Sequence, residues 1–74
     1  MSKAADGLFL RNVGDRIRHA RRERGISQEA LAHRAGLDRS YMSGIERGVR
    51  NITLLKLRNV SAALKVPMRT LLGE

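Results

Sequence analysis

Apolar positions along the chain recur at helical spacing, and strict two-residue alternation never lasts. Val13, Ile17 and Ala20 stand at i, i+4 and i+7, which predicts a first helix over about residues 13–24 with Asn12 as its cap. Gly25 followed by Ile26 fits a glycine stop with an apolar residue just beyond. Ser27 then opens a second helix over about 28–35, with Leu31, Ala32 and Ala35 as its stripe. Gly36 breaks that stripe where a positive φ suits a tight turn, and Leu37 follows as an apolar plug. Asp38 can cap a third helix over about 39–47, with Met42 and Ile45 inward, Arg39, Ser40, Tyr41, Ser43 and Gly44 outward, and Gly48 as terminator. Thr53 can cap a fourth over about 54–64, whose inner stripe reads Leu54, Leu57, Val60 and Leu64. Pro67 suits the start of a short fifth helix over about 68–72. The fold class is therefore all-α, with five helices and no strand.

Gln28 to Arg47 is the stretch that carries chemistry, two short helices joined at Gly36. It resembles the helix-turn-helix of the Xre/Cro/C1 family of DNA-binding regulators. Gln28, Ala32, Gly36, Leu37, Met42 and Ile45 stand where that family places them. The run from Leu37 to Asn51 is similar to the controller proteins of restriction–modification systems. The resemblance covers roughly residues 12–72. It implies a five-helix compact bundle of the lambda-repressor-like type, with residues 11–74 as the DNA-binding domain and a C-terminal dimerisation helix. Residues 1–10 read as a flexible tail, in which Leu8, Phe9 and Leu10 could pack on the domain or a partner.

A recognition helix must present side chains to base edges from its leading end. Arg39, Ser40, Tyr41 and Ser43 occupy that end, and the resemblance points to the same four positions. Arg39 can make two parallel hydrogen bonds to a guanine. Gln28, Arg47, Arg50 and Asn51 are the candidate phosphate contacts, Gln28 by resemblance. The bare Gly44 could admit a close-approaching surface such as DNA. Resemblance also pairs Glu46 with an arginine on the first helix, here Arg21, which would fix the third helix to the first. Val66, Met68, Leu71 and Leu72 crowd the last helix of a chain short of core, which points to a symmetric homodimer; the bland reading is that they complete the monomer.

Charge sharpens this picture. Fifteen Lys and Arg against seven Asp and Glu give a formal +8, a field that attracts polyanions. Alone it describes a soluble basic surface; combined with the motif it points to double-stranded DNA. There is no Cys, so disulfides, thiolate nucleophiles and most structural zinc sites are excluded. His19 and His33 lack partners at metal-ligand spacing, no glycine-rich phosphate loop is present, and no enzyme reading is supported. No cofactor, metal or small-molecule effector is expected. No apolar run nears the roughly 18 residues of a membrane span, and the expected location is the cytoplasm, on the nucleoid. RNA polymerase is a candidate second partner. A general small repressor and an antitoxin-like protein-interaction module are the alternatives to a controller protein.

Overall fold

In the computed structural model, which describes residues 3–74, five helices follow one another: α1 Lys3–Glu23, α2 Gln28–Ala35, α3 Arg39–Glu46, α4 Leu54–Leu64 and α5 Met68–Leu72. Local signals set most of these limits. The Ser27 hydroxyl accepts from the Ala30 N–H at 3.0 Å, and Thr53 accepts from the Lys56 N–H at 3.2 Å. The Asp38 carboxylate accepts from the N–H groups of Ser40 at 3.0 Å and Tyr41 at 3.2 Å. Gly36 takes φ 70°, which lets the Leu37 N–H reach back to the Ala32 carbonyl at 2.8 Å and closes the turn between α2 and α3. Pro67 provides no side-chain cap; α5 is held by its one buried residue, Leu71.

The core is small and shared by every helix. Ile17, Leu31, Met42, Ile45, Leu64 and Leu71 are its largest fully buried apolar side chains. α2 packs on α4, while α1 lies against both α3 and α5. Burying each such aliphatic side chain contributes about 1.5–3 kcal/mol, so removing any one of them matters in a domain this size.

The structure departs from the sequence-based expectations at four points. α1 starts at Lys3, not near Val13, so residues 3–10 continue the helix and Asn12 is an exposed interior residue rather than a cap; Met1 and Ser2 lie outside the described residues. Once α1 is nucleated by its packed half, extension through Ala4, Ala5, Leu8 and Leu10 adds one hydrogen bond per residue. α1 ends at Glu23, one residue early. Leu54 is 72 % exposed: it stands on the rim of a groove it shares with Phe9, Leu10 and Leu72 rather than in the core. Gly44 is buried: the site a Cβ would fill is taken by the stem of Arg50 from the same chain.

Candidate nucleic-acid interface

Met42 and Ile45 anchor α3 in the core, and the outward positions follow from that anchoring. At its amino end Asp38 holds the first turn. A hydrogen bond from the Ser40 hydroxyl at 2.6 Å, helped by the Tyr41 N–H, keeps the Asp38 carboxyl below its ordinary value. Arg39 projects into solvent and meets Glu29 of α2 at 3.2 Å, with both side chains mostly exposed. Such a pair is weak and exchanges readily for another acceptor. Ser40 is exposed and Ser43 half-buried.

Tyr41 is not free in the way Arg39 is. Its hydroxyl donates to the Asn51 carbonyl at 2.7 Å. Its ring lies under the Lys56 ammonium at 4.7 Å and the Arg50 guanidinium at 5.5 Å. The structure therefore joins Tyr41, Arg50 and Asn51 into one cluster at the edge of α3. Arg47, the residue after α3, is exposed.

Behind this surface sits Glu46, 1 % exposed. Arg21 grips its carboxylate with two hydrogen bonds, Nε to Oε2 at 2.7 Å and Nη2 to Oε1 at 2.9 Å. Nη1 of the same guanidinium donates to the Ile26 carbonyl at 3.0 Å. The bond to Glu46 raises the Arg21 pKa further, against the opposing effect of burial. Gln28 adds its amide to Glu46 Oε1 at 3.2 Å, so the leading residue of α2 is fastened to the last residue of α3. Two residues of this seam were not singled out from sequence. Arg18 donates to the Glu46 carbonyl at 3.5 Å, and a Cβ on Gly14 would lie 2.6 Å from that same oxygen. Gly14, Arg18 and Arg21 follow one another at i, i+4 and i+7, a spacing that marks a helix face facing a partner.

The four candidate dimer residues do not form one patch. Leu71 is fully buried in the monomer core and cannot serve an interface. Leu72 borders an apolar groove with Phe9, Leu10, Ile52 and Leu54. Val66 lines a different groove with Asp15, Arg16 and Thr70, and Met68 is half-buried. Among the described residues no group of three His, Asp or Glu could hold a metal, and no helix is long and apolar enough to cross a membrane.

A helix-turn-helix family, HTH_3, matches residues 17–71. The chain belongs to this family. Among HTH_3 relatives, the control protein C.MunI of a Mycoplasma species is 37 % identical over 82 % of this chain and 84 % of its own length. The HTH-type transcriptional regulator SinR of Bacillus subtilis is 44 % identical over 84 % of this chain. The chain spans 57 % of SinR and 43 % of the Bacillus phage phi105 immunity repressor, so it covers about half of these longer relatives. The crystal structure of the restriction–modification controller protein C.AhdI from Aeromonas hydrophila superposes with a TM-score of 0.82 at 45 % identity, covering 84 % of this chain and 94 % of that one.

Proposed function

We propose that the protein is a sequence-specific double-stranded DNA-binding transcriptional regulator that acts as a homodimer on a palindromic operator, in the manner of a restriction–modification controller. The observation that carries this is the α3 geometry: Met42, Ile45 and the Arg21–Glu46 grip fix the helix, while Arg39 and Ser40 stand exposed at its leading end. The +8 charge and the likeness to SinR, which has been crystallised in complex with DNA, support the same reading. Arg39, Ser40 and Ser43 read bases. Tyr41 is positioned by Asn51 and turns its ring edge to the groove. Arg47, Arg50 and Asn51 meet phosphates, as does the second N–H of the Gln28 amide that Glu46 leaves unused. The protein works in the cytoplasm without enzymatic activity.

The test is binding to a duplex selected from a random library and to random duplex, across a salt series. Affinity should fall steeply with salt and favour the selected duplex; equal affinity for both at every salt defeats the specific reading. Arg39→Ala should lose about 1–3 kcal/mol of discrimination at one base pair. Arg50→Ala should weaken both duplexes alike, as expected of a phosphate contact. If Arg39→Ala keeps the full base preference, readout has been assigned to the wrong residue.

The homodimer uses the apolar face around Phe9, Leu54 and Leu72. Phe9 is 51 % and Leu54 72 % exposed, and a second copy related by a two-fold axis covers both with the same patch. Leu54→Asp leaves the monomer core untouched and is expected to sediment as a monomer at micromolar concentration where the wild type is a dimer. A wild type already monomeric when bound to its operator excludes this arrangement. Likeness to the Bacillus phage phi105 immunity repressor favours a general small repressor as the second reading; an adjacent endonuclease and methyltransferase gene pair decides for the controller.

A further inference from the structure

Four α1 positions, Arg11, Gly14, Arg18 and Arg21, line the seam toward the carboxyl end of α3. Three of them are accounted for: Gly14 by its close approach to the α3 backbone, Arg18 and Arg21 by their bonds to Glu46. Arg11 is not. It is exposed, its side chain makes no hydrogen bond or ion pair among the described residues, and it does not reach Asp15, one turn along α1. Yet the fold makes room for it. Gly48 takes φ 76°, and a Cβ there would overlap the Arg11 Cγ and lie 2.5 Å from the Arg11 Cα. The second residue after α3 is thus bare on the side where the stem of Arg11 passes.

This brings Arg11 beside the Arg47–Arg50 segment, whose two arginines are exposed as well. None of Arg11, Arg47 and Arg50 has an acidic partner among the described residues, so their charges are open to a polyanion. The amino end of α3 enters the groove, so its carboxyl end and the following loop run along the flanking strand, where phosphates lie. We propose that Arg11 is a phosphate-binding residue of the DNA interface, contributed by the first helix from outside the family-matched residues 17–71. The inference rests on duplex binding by the protein.

The experiment compares wild type, Arg11→Gln and Arg11→Lys on the selected and random duplexes between about 50 and 200 mM salt. Arg11→Gln should weaken both duplexes by a similar factor. Its plot of log affinity against log salt should be shallower by about 0.9 for each protomer bound, the loss of one phosphate contact. Arg11→Lys should keep the wild-type slope, and thermal stability should be the same for all three. An unchanged slope in Arg11→Gln overturns the proposal, as does a loss of affinity explained by a lower melting temperature at wild-type slope. Absence of duplex binding by the wild type would overturn both this and the function it rests on, and so is distinguishable from failure of Arg11 alone.

Discussion

Glu46→Ala is expected to cost about 3–5 kcal/mol, because it leaves the Arg21 guanidinium partly buried with its partner removed. Small domains have only about 5–15 kcal/mol in total, so this single change should bring the chain near its unfolding limit. The side chains involved explain the size. Arg21 loses two short hydrogen bonds, Gln28 loses its acceptor, and only the bond to the Ile26 carbonyl remains. The expected readout is a large drop in the urea midpoint. Replacing both partners with apolar residues, Arg21→Met with Glu46→Leu, should recover much of that loss, since no orphaned charge is left. Operator discrimination should stay impaired in the double variant, because packing alone does not fix the rotation of α3. A double-mutant cycle in which the two effects simply add would show that the pair contributes nothing as a pair.

Gly14→Ala is the second large effect, and it runs against helix propensity. Alanine in a helix interior is favoured over glycine by roughly 1 kcal/mol. At Gly14 the new methyl would overlap the Ile45 carbonyl oxygen and lie 2.6 Å from that of Glu46. These are backbone atoms of the last α3 turn and cannot rotate aside. α1 and α3 must separate, which stretches the Arg21–Glu46 grip. Overpacking of this kind costs about 1–3 kcal/mol, and specific DNA binding should weaken with it as α3 tilts. Gly7 is the control: it lies in the same helix with nothing within 4 Å of an added Cβ. Gly7→Ala should therefore stabilise the fold by a few tenths to about 1 kcal/mol. Equal responses at the two glycines in thermal melts would remove the steric argument.

Most of the architecture was legible in the chain because its signals are local. Ser27, Asp38 and Thr53 cap within three residues of themselves, and Gly36 turns the chain where the apolar stripe breaks. What could not be read depends on distant neighbours. The start of α1 was hidden because residues 3–10 carry no stripe of their own, and Gly7 dilutes the helical signal. Leu54 fits the α4 stripe by spacing but lies on the rim of a groove beside Phe9 and Leu72. Tyr41 reads as a free groove residue until Asn51, ten positions away, takes its hydroxyl. Leu71 reads as a dimer-interface residue from its place in the last helix, and is core because α5 packs against α1.

The division of α3 has a consequence for how such a protein changes over time. Met42, Ile45 and Glu46 belong to the interior, whereas Arg39 and Ser40 are bonded only to the exposed carboxylates of Glu29 and Asp38. Surface substitutions away from caps and core usually move stability by less than about 0.5 kcal/mol. Arg39 can therefore drift to other residues with little penalty to folding, and a duplicated copy can acquire a new target in a few steps. Tyr41 is the slower position, since every replacement releases Asn51 and every non-aromatic one also releases the two cations over its ring.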